Sequence, residues 1–138
     1  MQINKSTISI NAPASKVWDA ISKAEEMCKW IPSSVIEGGG TLGSEILMKF
    51  YNADGTPWEV SGKPYELRAR LDRMVPEKLL EYNHEGREGM FTESMILEAE
   101  NAETTSMTIQ QEVNQHADGW KNGAVQTLKL LKAYLEKN

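Results

Sequence analysis

The stretch "DGWKNGAVQTLKLLKAYLEK", residues 118–137, decides the fold because it predicts one long amphipathic helix. Its apolar residues recur at the i, i+4, i+8, i+11 and i+15 spacing of a single helical face. Val125 and Leu130 widen this face. A helix of this length is about 30 Å long and can cross a whole small domain. The members of the apolar face are Trp120, Ala124, Leu128, Leu131 and Leu135.

The chain before this helix alternates between apolar and polar residues, a pattern that predicts β-strands. We expect strands at 44–51, 65–75, 79–84, 91–99 and 104–113, in an antiparallel run of about six strands. Each strand carries apolar side chains at every second position, and these predict its inner face. The apolar sets include Ile46, Met48, Phe50, Leu67, Leu80, Tyr82, Met95, Met107 and Ile109.

Glycine-rich and proline-containing segments predict the turns. The stretch "VIEGGGTLGSE", residues 35–45, has four glycines within six positions and predicts a turn before a strand. The hairpin within 44–75 has two possible turns, at 52–55 and at 61–64, and the sequence leaves both open.

The first part of the chain predicts one strand and two short helices. Residues 2–11 alternate, with Ile8 and Ile10 on one face. Pro13 suits the first turn of a helix over 14–22, because its missing N–H costs nothing there. A second short helix ends at Pro32. Trp18 and Trp30 are expected to anchor these two helices against the open end of the sheet, since aromatic side chains bury large areas.

The order of elements indicates a single α+β domain over residues 1–138. Only one layer of helix is available to cover a large sheet, so we expect six to seven strands curved around the C-terminal helix. One helix cannot fill a wide concave face. This arrangement therefore predicts a cavity between the sheet and the helix.

Composition limits the classes of function. Fifteen basic and twenty acidic residues give a net charge of −5, which opposes binding to nucleic-acid phosphates and to an anionic membrane surface. Cys28 is the only cysteine, so we expect no intrachain disulfide and no cysteine metal cluster. No apolar signal-peptide region follows the N-terminus, and the expected location is the cytoplasm.

Catalytic and metal-binding patterns are weak. The two histidines, His84 and His116, are far apart and lie in no zinc-binding motif. No G-x-S-x-G nucleophile elbow occurs. The acidic run 93–103 is interpreted as a solvated strand end with its turn. We therefore predict no catalytic residue, no metal site and no cofactor.

Three stretches resemble one known superfamily. They are "ISINAPASKVWDAISKAEEMCKWIP" (8–32), "GKPYELRARLDRMVPEKLLEYNHEG" (62–86) and "GWKNGAVQTLKLLKAYLEK" (119–137). Together they resemble the START-related, birch-pollen-allergen-like superfamily (SRPBCC) with the helix-grip fold. The most similar branch is that of the activators of the heat-shock-protein-ninety ATPase. The segment "YNADGTPWEVS" (51–61) is longer than the branch usually has between its second and third strands.

The resemblance implies three hypotheses of function. The first is binding of a small, largely apolar ligand in the cavity, with Tyr82 and His84 as polar contacts, although His84 could instead be a solvated residue at a strand end. The second is a protein-interaction module of the chaperone-activator kind, and the third is a cyclase or hydrolase. The chain is expected to be a monomer or a homodimer. The predicted ligand-binding residues are Met48, Phe50, Leu67, Tyr82, His84, Met95, Met107, Trp120 and Leu128.

Overall fold

A computed structural model describes residues 2–31, 34–38, 40–84, 90–113 and 118–137. Seven strands form one curved antiparallel sheet in the order β1-β9-β8-β7-β6-β3-β2, and two short strands form a separate ribbon, β4-β5. The elements are β1 (Gln2–Ile10), α1 (Ala14–Ser22), α2 (Ala24–Trp30), β2 (Ser34–Gly38), β3 (Glu45–Phe50), β4 (Glu59–Val60), β5 (Lys63–Pro64), β6 (Glu66–Val75), β7 (Leu79–Asn83), β8 (Met90–Ala99), β9 (Thr105–Val113) and α3 (Asp118–Glu136). The predicted α+β fold, with its curved sheet and long last helix, is confirmed.

The segment predicted as a turn before β3 contains a strand that the sequence analysis missed. Residues 34–38 form β2 and pair with β3, with Ser34 opposite Phe50 and Gly38 opposite Ile46. Gly38 has a φ of 78°, and a Cβ there would collide with the Glu45 carbonyl oxygen. Gly38, one of the glycines that suggested a turn, therefore allows a close strand-to-strand approach.

Both candidate turns between β3 and β6 are present. The first spans 52–55, where the Gly55 N–H donates to the Asn52 carbonyl oxygen at 3.0 Å. The second joins β4 to β5 through Ser61 and Gly62, with φ values of 55° and 79°. Two successive positive φ values match the twist of a tight hairpin. Residues 51–65 therefore form an extra ribbon rather than one simple turn.

The alternation in β6 is interrupted by a bulge. Leu67 points inward as predicted, together with Ala69 and Leu71, but the register with β7 shifts between Leu71 and Arg73. After the bulge Met74 takes the half-buried position. An inserted residue of this kind bends a strand and increases its twist, which helps the sheet to curve.

The core includes residues from both halves of the sheet, and α3 covers the half that contains β1 and β9. Helix α3 packs mainly on β1 and β9, at one end of the strand order. Helix α1 packs beside it. The inner side chains of this half are tightly buried, and they include Ile10, Val17, Ile21, Met107, Ile109 and Leu131. The other half of the concave face, formed by β3, β6 and β7, is therefore farther from α3.

Candidate ligand-binding site

A cavity of about 250 Å³ lies where the sheet and α3 diverge. Strands β3, β6, β7, β8 and β9 supply its floor because their alternating side chains point to the concave side. Helices α2 and α3 supply its opposite wall. The apolar part of the lining is formed by Met27, Trp30, Ile31, Ile46, Met48, Phe50, Leu67, Ala69, Met95, Gly123, Ala124 and Leu130.

The wall formed by α3 lies next to the buried stripe and shares Ala124 with it. Gly123, Thr127 and Leu130 line the cavity, whereas Leu128 and Leu131 are buried in the core. The Thr127 hydroxyl donates to the Gly123 carbonyl oxygen at 2.9 Å, so it is satisfied within its own helix. Leu130 is 39% exposed, and the cavity wall therefore reaches the protein surface at this residue.

The wall formed by α2 is fixed by hydrogen bonds at both ends. The Trp30 indole N–H donates to the Ala20 carbonyl oxygen at 2.9 Å, which holds the ring against α1. The Tyr134 hydroxyl on α3 donates to Glu26 on α2 at 2.9 Å. Hydrogen bonds from Lys29 and Tyr134 lower the pKa of the Glu26 carboxyl, and the same carboxylate raises the pKa of Tyr134. The two helices are thus joined beside the cavity.

Polar side chains form a row across the cavity floor. Tyr82 on β7 lies opposite Glu93 on β8, and Glu93 lies opposite Gln111 on β9. Asn4 on β1 continues the same row and is buried. Tyr82, Glu93 and Gln111 line the cavity. This polar row, defined as Tyr82, Glu93 and Gln111, crosses a surface that is otherwise apolar.

The amide of Gln111 has a defined orientation within the polar row. Its Nε2 donates to Glu93 Oε2 at 3.0 Å. The side chain is only 2% exposed, and its Oε1 accepts no hydrogen bond from the part of the chain that the structure describes. Buried polar atoms are nearly always hydrogen-bonded, so such an acceptor needs an explanation.

Tyr82 remains protonated over the physiological pH range. Burial, and to a smaller extent the negative charge of Glu93, raise the pKa of its phenol to about 12. The hydroxyl is therefore a neutral donor and acceptor at the cavity floor. His84 follows β7 and is 7% exposed, so the alternative of a solvated histidine is wrong.

The structure brings together six of the nine predicted binding residues. Met48, Phe50, Leu67, Tyr82, His84 and Met95 line the cavity. Met107 and Leu128 are buried in the core instead, because their strand and helix face lie where α3 packs closely on β1 and β9. The side chain of Trp120 and the whole of His116 lie outside the described residues. Ligand binding by the six residues remains a prediction.

The charged and amide groups of the site, Glu93 and Gln111, were not among the predicted binding residues. Glu93 was assigned to a solvated acidic run, yet it lines the cavity. Gln111 was not singled out. Both residues share the alternation of apolar inward-facing neighbours, namely Met95 and Leu97 on β8 and Ile109 and Val113 on β9. A single polar residue among apolar inward-facing residues of a strand was the sequence signal that could have indicated Glu93 and Gln111.

Metal-ligating residues do not cluster in the described parts of the chain, where no three His, Cys, Asp or Glu side chains could hold an ion. Cys28 is exposed. Among the described helices, none is long and apolar enough to cross a membrane.

The chain belongs to the family described as "Activator of Hsp90 ATPase homolog 1-like protein", whose model matches residues 11–136. No protein in the comparison with curated proteins matches the chain. The solution structure of the Aha1 dimer from Colwellia psychrerythraea is similar, with 20% identity, a TM-score of 0.73 and coverage of 99% of this chain and 98% of that chain.

Two further solved structures share the fold. The solution structure of ChR145 from Cytophaga hutchinsonii is 21% identical, with a TM-score of 0.75 and coverage of 99% of this chain and 94% of that chain. Truncated norcoclaurine synthase from Thalictrum flavum is 12% identical, with a TM-score of 0.73 and coverage of 99% and 94%. At these identities the similarity establishes the fold alone.

Proposed function

We propose that this protein binds a small, largely apolar molecule in the cavity between the sheet and helices α2 and α3. The observation that carries the proposal is the polar row on an apolar floor. Ligand sites in proteins combine apolar walls with a few convergent polar groups that orient the ligand. Tyr82, Glu93 and Gln111 supply such groups on three neighbouring strands.

The size of the cavity limits the ligand. Its volume of about 250 Å³ corresponds to roughly eight water molecules at their liquid volume of about 30 Å³ each. The ligand, or the part of it that enters, is therefore on the order of ten non-hydrogen atoms. The lining includes three methionines, Met27, Met48 and Met95, whose flexible side chains can adapt to different apolar shapes.

Two further predictions accompany this proposal. The expected location is the cytoplasm, and the expected state is a monomer or a homodimer. The family description and the norcoclaurine synthase similarity concern those proteins, so a chaperone-directed role and a catalytic role remain the alternative hypotheses.

The test uses the methionines as reporters. Protein labelled at the methionine ¹³C-methyl groups is titrated with ethylbenzene, a probe of suitable size, into the millimolar range. We expect the methyl signals of Met27, Met48 and Met95 to shift saturably. Met107, which is fully buried in the core, and Met74 on the far part of β6 serve as internal controls and should not respond. Shifts of equal size at Met107, or none at the three cavity methionines, would contradict the proposal.

A further inference from the structure

We propose that the ligand presents a hydrogen-bond donor, such as a hydroxyl or an amide N–H, to Gln111 Oε1, and that carboxylate ligands are excluded. This inference rests on the proposed function and specifies the chemical class of the ligand. The inference predicts that alcohols and amides bind, and that fatty or aromatic acids of the same size do not.

The position of the acceptor follows from its neighbour. An ionised carboxylate is an acceptor only, so the amide nitrogen of Gln111 must face Glu93. The distance of 3.0 Å between Gln111 Nε2 and Glu93 Oε2 agrees with this orientation. The opposite side of the amide is then the oxygen. Oε1 lies beside the cavity floor without a donor among the described residues. The terminal torsion of a glutamine is soft, so a small rotation turns the oxygen toward a bound molecule.

The energetics favour a donor at this point. A buried acceptor without a partner costs the desolvation of that group, and a ligand donor recovers it. A purely apolar ligand would instead cover the oxygen and leave the cost in place. The structure therefore discriminates in favour of a ligand with one donor next to an apolar body.

The charge of the polar row disfavours acids. Glu93 lies on the strand next to Gln111, and a ligand carboxylate placed at Gln111 Oε1 would meet a second acceptor and a nearby negative charge. The described residues that line the cavity include no lysine and no arginine, and His84 is the basic side chain among them. Like charges in a poorly solvated site repel strongly.

The first experiment compares two probes of equal size in matched variants. Benzyl alcohol and ethylbenzene are titrated at pH 8 into wild type, Gln111→Met and the control Gln110→Met, with the methionine signals as readout. Gln110 is the adjacent residue on β9, and its side chain lies on the opposite face of the sheet. For each protein, the dissociation constant of benzyl alcohol is divided by that of ethylbenzene. Comparing this ratio among the three proteins cancels the difference in hydrophobicity between the probes.

We expect Gln111→Met to weaken the binding of benzyl alcohol, relative to that of ethylbenzene, by about two- to tenfold, which corresponds to the loss of one hydrogen bond. Gln110→Met should leave the ratio unchanged. If ethylbenzene binds all three proteins and the ratio does not change, the donor inference is overturned while the proposed function survives. If ethylbenzene does not bind wild type, the proposed function itself fails.

The second experiment needs no change at Gln111. Benzoate should bind wild type at least about tenfold more weakly than benzyl alcohol, because of the Glu93 charge. Glu93→Gln keeps a side chain that can accept from the Gln111 amide and removes the charge. It should therefore reduce the difference in affinity between benzyl alcohol and benzoate. Benzoate that binds wild type as tightly as benzyl alcohol would overturn the inference, whether or not Gln111→Met folds.

Discussion

Filling part of the cavity from its floor should stabilise the protein and weaken ligand binding. Ala69 lies on β6, is only 5% exposed and lines the cavity. Ala69→Leu adds three carbon atoms, which need much less room than the cavity provides. The substitution therefore converts empty space into apolar contacts without displacing Tyr82 or Met48.

The magnitude follows from the added apolar contacts. Burying each carbon contributes about 0.8 kcal/mol, so three contribute at most about 2.4 kcal/mol. Ordering a leucine side chain costs roughly 0.5–1 kcal/mol of rotamer entropy. The expected gain in the free energy of unfolding is therefore about 1–2 kcal/mol. For 138 residues the entropy of unfolding is about 290 cal/mol/K, which converts this gain into a Tm increase of about 3–7 °C.

The assay measures stability and binding on the same preparations. Protein is refolded from denaturant to remove any bound molecule, and urea unfolding is followed by circular dichroism. Ala99→Leu, at the exposed end of β8, is the matched control and should change stability by less than about 0.5 kcal/mol. Ethylbenzene should bind the Ala69→Leu protein at least about tenfold more weakly than wild type.

Two outcomes would refute this reasoning. A loss of about 1 kcal/mol or more in Ala69→Leu would indicate an overpacked floor and thus no free volume at this position. A stable variant that still binds ethylbenzene with wild-type affinity would indicate that the probe occupies another place. Either result would remove the cavity as the ligand site.

Two other predictions test single groups. The folded-state pKa of Tyr82, about 12, exceeds the ordinary value of about 10, so the unfolded state releases its proton first and stability falls as pH rises through this window. Wild type should lose about 2 kcal/mol relative to Tyr82→Phe between pH 10 and pH 12 in urea unfolding, and parallel pH profiles would contradict this. Gly38→Ala should lower the free energy of unfolding by more than about 2 kcal/mol, because the new Cβ would meet the Glu45 carbonyl oxygen. The control Gly55→Ala, with open space around it, should lower it by only about 1 kcal/mol in thermal unfolding. Equal losses in the two variants would show that the close approach at Gly38 is absent.

Local sequence patterns were sufficient for most of the fold. Alternation located β1, β3 and β6 to β9 because each inner face is apolar at every second residue. The 3.6-residue periodicity located α3. Strand β2 was missed because it is short and ends at Gly38, so its composition resembles a turn. The ribbon between Tyr51 and Tyr65 was ambiguous because both of its turns are real.

The candidate site was only partly predictable because it depends on non-local register. The inner faces alone indicated Met48, Leu67 and Tyr82 as neighbours. Which residue of β9 lies opposite Glu93, however, is fixed by the pairing of β8 with β9, and no local pattern contains that register. The separation of the cavity from the core likewise depends on where α3 packs. For this reason Met107 shares the inner face of its strand and yet lies away from the cavity.

The cavity itself argues for an occupant. A closed, dry cavity costs about 24 cal/mol per Å³, but this cavity opens at Leu130, where water can enter, so its cost comes from the apolar lining that stays uncovered by protein. Small residues, Ala69, Gly123 and Ala124, occupy wall positions where larger side chains would fill the space. A molecule that binds only the folded state recovers such a cost by mass action. The stability of this protein should therefore depend on its ligand, and refolded protein should be less stable than protein that retains a bound molecule from its source.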